Sequence, residues 1–207
     1  MWMIVGRMCY NPRMSMTKLK YGNTNTYLIN SLLFDTDMFG TIAAFYKCLK
    51  HNNIQLHDIK YVLCSHYHPD HMGLVSELMK EGIKLLLLDN QKAYIHFSDK
   101  IFEKQFGQKY NPIDEKNAVI ISAQNSRSFL KKLGINGQII TTSSHSKDGI
   151  ALILDDGQCF VGDLEPVEFI DGYENNDALK TDWENIRKLE PEIIYYGHVN
   201  DQIVKLF

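Results

Sequence analysis

What this 207-residue chain lacks already bounds it. No window approaches eighteen consecutive apolar residues, so no segment reads as a transmembrane helix. The N-terminal stretch MWMIVGRMCYNPRM breaks its short apolar run at Arg7, which leaves too little for a signal peptide or a membrane span. There is no CxxC pair: Cys9, Cys48, Cys64 and Cys159 lie far apart. Free, mostly buried thiols in a reducing cytosol fit that spacing better than disulfides. No run of Lys or Arg would track a phosphate backbone. A net charge of -3 and a pI near 6.2 argue against a dedicated nucleic-acid binder, without excluding a nuclease. Repeats, low-complexity tracts and Gly/Ser-rich linkers are also missing, so a single domain over residues 1–207 is expected, cytoplasmic and soluble.

What is present is a chain of 44% hydrophobic residues, enough to fill a substantial core. Apolar alternation and β-branched runs predict strands at Thr26–Phe34, Lys60–Ser65, Ile83–Leu88 and Ala118–Ile121. A second group is predicted at Gln138–Thr142, Ile150–Leu154, Cys159–Gly162 and Glu192–Tyr196. Helical spacing marks Gly40–Leu49, Gly73–Lys80, Ser126–Leu133 and Ala178–Leu189. This alternation implies a mixed sandwich of sheets with helices outside. The segment Gln91–Asn117 is less regular and carries Tyr94, His96, Phe97, Phe102, Phe106 and Tyr110. It reads either as an amphipathic helix pair packing its aromatics inward or as a flap over a site. The flap is the functional expectation, with Phe102 and Phe106 as apolar walls.

The densest chemistry is CSHYHPDHMG, residues 64–73, which places His66, His68, Asp70 and His71 within six positions. Chance would produce this pattern on the order of once in a thousand chains of this composition. His66 and His68 are two apart at a strand end and so face one side. Pro69 ends the strand, and Asp70 and His71 come from the turn and the helix start. Four residues are too few for two ions. Three further candidates lie where predicted strands run out into loops: His145 in IITTSSHSKDG, Asp163 in CFVGDLEP and His198 in EIIYYGHVN.

These residues resemble the metallo-β-lactamase-fold superfamily of metal-dependent hydrolases. The resemblance runs from Asn25-Thr-Tyr-Leu-Ile29 and Phe34-Asp-Thr36 through the complete HxHxDH signature to Tyr196-Gly-His198. It implies an α/β (α+β) fold, a four-layer αββα sandwich of two mixed sheets with metal at one edge. It also implies a ligand set: His66, His68 and His145 for one ion, Asp70, His71 and His198 for the other, and Asp163 bridging. Asp35 matches a family aspartate that supports the ligand loops by hydrogen bonding. Two positions depart from the pattern: Asp37 replaces a usual glycine, and Ser144 replaces another before His145.

Two divalent ions would polarise a scissile carbonyl or phosphoryl group and lower the pKa of a shared water. Asp70 is the residue expected to orient that nucleophile. Zinc suits imidazole and carboxylate ligands, and iron or manganese fit the same set. His68 stands where oxidoreductase relatives often carry a carboxylate, which argues against electron transfer. Exported β-lactamases, glyoxalase II with its C-terminal helical domain, lactone hydrolases with a Tyr after the bridging aspartate, and nucleases with a basic arm all match less well. The expected substrate is a small ester, lactone or thioester. The alternatives are a phosphodiesterase or nuclease of the same fold and a metal-binding, non-catalytic module. Several nearby residues have ordinary readings: Tyr67 as structural, Lys147 and Asp148 as solvated loop charges, and His51, His57 and His96 as surface residues. One of Tyr195 and Tyr196 is expected in the core and the other near the site. A rim is expected over Glu165–Asn176, with Phe169 and Tyr173.

Overall fold

The computed structural model describes residues 14–172 and 177–203, so Cys9 and Tyr173 lie outside the described residues. The first sheet contains β1 (Met16–Lys20), β2 (Asn25–Ile29), β3 (Leu32–Phe34), β4 (Tyr61–Leu63), β5 (Lys84–Leu88) and β6 (Val119–Ile121), side by side in that order. The second runs β11 (Gln202–Ile203), β10 (Ile193–Tyr196), β9 (Gln158–Gly162), β8 (Ile150–Leu154) and β7 (Gly137–Thr141). Both sheets are mixed. In the first, β1 to β3 pair antiparallel and β3 to β6 parallel. In the second, β9 and β10 are parallel while β8 is antiparallel to both β7 and β9.

Alternation along the strands divides the interior into three apolar layers. Tyr27, Phe34, Leu63, Leu86 and Leu88 face Leu152, Phe160 and Tyr195 between the sheets. Leu28, Leu33, Val62 and Leu85 point the other way, onto α1 (Ile42–His51), α3 (Val75–Lys80) and α4 (Asp99–Phe106) through Phe45, Leu49, Val75, Leu78 and Phe102. Ala151, Ile153, Val161 and Ile194 meet Leu179, Trp183 and Ile186 of α6 (Asp177–Arg187) on the outer face of the second sheet. Helix, sheet, sheet, helix is therefore the order of layers. Strands such as β8 are buried on both faces, which is why IALIL reads as an unbroken apolar run.

Local chemistry explains where the boundaries differ from expectation. Thr26–Phe34 is a hairpin rather than one strand: Asn30 adopts φ 51° at the turn between β2 and β3. The helix expected over Gly73–Lys80 is α3, which starts at Val75, and a separate short helix, α2 (Pro69–Met72), precedes Gly73. A Cβ at Gly73 would lie 2.2 Å from the Phe39 amide nitrogen, so only glycine allows the chain through there. The remaining helix, α5 (Ala123–Lys132), places Phe129 edge-on to Tyr61 at 5.3 Å. Among the described residues, no helix is long and apolar enough to cross a membrane. Cys48, Cys64 and Cys159 are free.

Strand direction sets up the site. β3, β4 and β5 are mutually parallel, and so are β7, β9 and β10 by their pairings. Each sheet thus delivers its C-terminal strand ends to one edge.

Candidate metal centre

Asp35 follows β3, His66 and His68 follow β4, His145 follows β7, Asp163 follows β9 and His198 follows β10. Asp70 and His71 lie in α2, whose first residue is Pro69, a position where the missing N–H costs no hydrogen bond. The fold brings all seven candidates together. They form two groups, His66, His68 and His145, and Asp70, His71, Asp163 and His198. Within each group, one ligand atom per residue lies within 4.8 Å of the others. His68 Nδ1 is 3.2 Å from His145 Nε2. His198 Nε2 is 3.0 Å from Asp70 Oδ2 and 3.4 Å from Asp163 Oδ2. The same Asp163 oxygen is 3.2 Å from His71 Nε2 and 3.9 Å from His145 Nε2, so it stands between the groups.

The His66 and His71 side chains are braced directly, and the segments that carry Asp70, His145 and His198 are held through their backbone. Asp35 is fully buried; its Oδ2 lies 3.0 Å from His71 Nδ1 and its Oδ1 accepts the Ser65 N–H at 2.6 Å. Ser65 Oγ lies 2.9 Å from His66 Nδ1, which directs His66 Nε2 inward. Thr24 donates its hydroxyl to the Asp70 carbonyl at 2.7 Å. Asp182 of α6 accepts the N–H groups of Ser143 and Ser144 at 2.9 and 2.8 Å, which holds the His145 loop. Asn25 spans from the other sheet: its Nδ2 donates to the Tyr196 carbonyl at 2.9 Å and its N–H to the Gly197 carbonyl at 2.7 Å. A Cβ at Gly197 would sit 2.5 Å from Asp163 Oδ1, so the ligand loops can approach only because residue 197 has none.

The electrostatics match a place for cations. Burial would lower the His71 pKa, yet the Asp35 and Asp163 carboxylates outweigh it and push it up to about 10. The same two carboxylates place negative charge around the centre, which favours a cation there. Burial and the neighbouring imidazoles, His71 first, hold His66 well below its ordinary pKa and hence neutral. Burial also lowers the pKa of His145. Asp163 stays ionised: burial opposes the charge, but the His71 contact holds its pKa below the usual range. His66 Nε2 and Asp163 Oδ1 are buried without a hydrogen-bond partner. Unpartnered lone pairs on residues of a cluster of imidazoles and carboxylates suit a ligand set.

The family model of the metallo-beta-lactamase superfamily matches residues 19–198. The chain belongs to that superfamily. Beta-lactamase-like protein 2 homolog of Caenorhabditis elegans is 26% identical over 198 residues, covering 88% of this chain. The chain spans 58% of the length of that curated relative. Among solved structures, a metallo-beta-lactamase family protein from Thermus thermophilus has a TM-score of 0.64 at 18% identity, over 87% of this chain and 70% of its own. TTHA1623, solved in a di-iron-bound form, has a TM-score of 0.64 at 19% identity, over 90% of this chain and 93% of its own. At these identities the likeness is one of fold.

Several expectations need correction within this metallo-beta-lactamase framework. Asp148 is not a solvated loop charge. It is 2% exposed, and its Oδ2 accepts the Tyr67 N–H at 2.7 Å, between His66 and His68. Its carbonyl and that of Cys64 accept the Gln91 amide at 3.2 and 2.9 Å, which ties the start of 91–117 to the ligand loop. Phe102 is no substrate wall: it is wholly buried, 4.9 Å from the Tyr110 ring. Phe106 packs edge-on to Phe39 at 4.9 Å. The residue of this segment that reaches the centre is Phe97, 5.6 Å from the His68 ring. Tyr67 is structural and buried, while His51, His57 and His96 lie at the surface. Tyr195 stacks on Phe160 in the core at 4.8 Å. Tyr196 lines a hollow of about 190 Å³ with His145, Asp163, Glu165, Pro166 and His198. The rim after Pro166 is a 3-10 turn, Val167–Gly172, with Phe169 exposed.

Of the two departures from the family pattern, Asp37 has a local account. Asp37 is buried and accepts from Thr24 N–H at 3.0 Å and Met38 N–H at 2.7 Å. It thereby steadies the residue that holds the Asp70 carbonyl. Ser144 donates only its backbone N–H to Asp182, as a glycine would, and nothing in the structure explains the serine there.

Proposed function

We propose that this chain is a metal-dependent hydrolase of a small ester, lactone or thioester. In this reading His66, His68 and His145 hold one divalent ion, and Asp70, His71 and His198 hold a second, with Asp163 shared. The observation that carries it is the convergence of seven ligand-capable side chains with two orphaned buried lone pairs among them. When bound, such an ion pair supplies Lewis acidity and activates water at neutral pH. Imidazole and carboxylate donors suit zinc first, with iron and manganese as the other fits.

The chain's own residues do the rest. Asp35 and Ser65 fix the ring orientations of His71 and His66, so both present Nε2 to the centre. Asp70, about one-third exposed and held from behind by Thr24, can accept a hydrogen bond from the attacking water. The hollow beside His198 is small and walled by Leu164, Pro166, Tyr196 and Val199, which suits a compact, partly apolar substrate. Among the described residues no Lys or Arg lines it, so none of them offers a phosphate chain a side-chain cation there. That favours carbonyl substrates over phosphodiesters.

The test is a hydrolysis screen with metal-loaded protein across short esters, lactones, thioesters and phosphodiesters. Turnover of a carbonyl class that is lost in Asp163→Ala supports the reading. Turnover confined to phosphodiesters, or none in any class, overturns it.

A further inference from the structure

Phe97 is 58% exposed, yet the chain on both sides of it is locked in place. Ile95 is buried in the core at 2% exposure. Ser98, fully buried, donates its hydroxyl to the Tyr67 carbonyl at 2.8 Å. Tyr67 lies between His66 and His68, so the segment that carries Phe97 is bolted to the loop that carries two ligand candidates. The Phe97 N–H closes a turn on the Tyr94 carbonyl at 2.8 Å. The ring is thus held at the mouth of the centre, tilted 38° to the His68 imidazole. Ile101, 45% exposed, lies in the first turn of α4, four residues further along the chain.

A solitary exposed apolar side chain needs no explanation. A phenyl ring fixed against a ligand-candidate imidazole does, because the segment could bury it only by giving up the Ser98 and Ile95 anchors. The hollow lined by His145 and His198 has a volume of about 190 Å³. For an acyl chain that extends beyond it, the exposed Phe97 ring beside His68 offers apolar surface.

We infer that Phe97 is a specificity-determining residue, the wall against which the hydrocarbon part of a medium-chain carboxylic-acid derivative lies while its carbonyl group sits over the His/Asp cluster. The inference rests on the hydrolase reading above and deepens it by naming the acyl class.

The experiment measures binding rather than turnover. Acetate, hexanoate and decanoate are titrated calorimetrically into zinc-loaded wild type, Phe97→Ala and Phe97→Leu. Wild-type affinity should rise with chain length. In Phe97→Ala, decanoate should weaken roughly 10-fold while acetate is unchanged, and Phe97→Leu should recover most of the loss. Melting temperature and metal content should stay at wild-type values, since the ring is exposed. A chain-length gradient that survives in Phe97→Ala, or no gradient in wild type, overturns the inference. Ester turnover is recorded separately. A gradient abolished by Phe97→Ala with no ester hydrolysed keeps the wall and removes the hydrolase reading. Ester hydrolysis with the gradient intact in Phe97→Ala removes the wall and keeps the hydrolase.

Discussion

The Asp35 carboxylate lies 3.0 Å from Nδ1 of His71, with both side chains shut away from solvent. This contact fixes the imidazole so that Nε2 faces Asp163, Asp70 and His198. The carboxylate also anchors the Ser65 amide, so one buried group holds two ligand-bearing segments.

Asp35→Asn keeps the shape but removes the charge that orders His71. Metal affinity should fall about 10–100-fold while the folded structure persists. Competition with a chromophoric chelator measures the affinity, and circular dichroism checks the fold. Unchanged affinity would reduce Asp35 to a turn residue.

The His145 loop depends on α6 through Asp182. Asp182→Ala removes the carboxylate that accepts the Ser143 and Ser144 amides in two part-buried hydrogen bonds, at a cost of about 1–3 kcal/mol. Both bonds run to one oxygen, Oδ2, so Asp182→Asn can present an equivalent acceptor and should restore most of the stability. Denaturant melts of the two variants check this; equal losses in both would show that charge, rather than the acceptor, matters.

Phe102→Ala tests the corrected view of the aromatic segment. Because Phe102 is wholly buried beside Phe39 and Tyr110, truncation should cost about 3–5 kcal/mol of stability. The relative preference for short and long substrates should be unaltered. A changed preference at unchanged stability would return Phe102 to the site.

The residues legible in the sequence were those whose signal is local. HxHxDH packs its chemistry into six positions, and strands such as β8 announce themselves because burial on both faces demands an unbroken apolar run. The bracing residues carry no such mark. Asp148 meets Tyr67 across 81 positions and Asn25 meets Tyr196 across 171, so only the folded chain reveals them. β1, half-buried and rich in lysine, lacks the apolar run that marks the inner strands. Between Phe97 and Phe102, spacing alone could not decide which ring turns outward.

His96 gives a pH dependence away from the candidate metal ligands. It joins Asp99 at 2.8 Å to Glu115 at 3.2 Å, and so ties the start of α4 to the turn at Glu115–Asn117. Partial burial would lower its pKa, but the two carboxylates outweigh this and raise it. A raised folded pKa means the stabilisation is complete below the unfolded value of about 6.5 and is lost as pH rises through the folded value. The side chain is 45% exposed, so solvent screening keeps the effect under about 1 kcal/mol. The melting-temperature difference between wild type and His96→Gln should be largest near pH 6 and shrink towards about pH 9. A difference that grows with pH would reverse the sign and contradict the assignment.

Metal stoichiometry decides whether the seven residues form a binuclear centre that shares Asp163. Protein purified without chelator, loaded with zinc, iron or manganese and then desalted should retain close to two ions per chain by elemental mass spectrometry. Asp163→Ala should lose at least one of them, because that carboxylate stands between both groups. A wild-type ratio near zero with every metal would contradict the account.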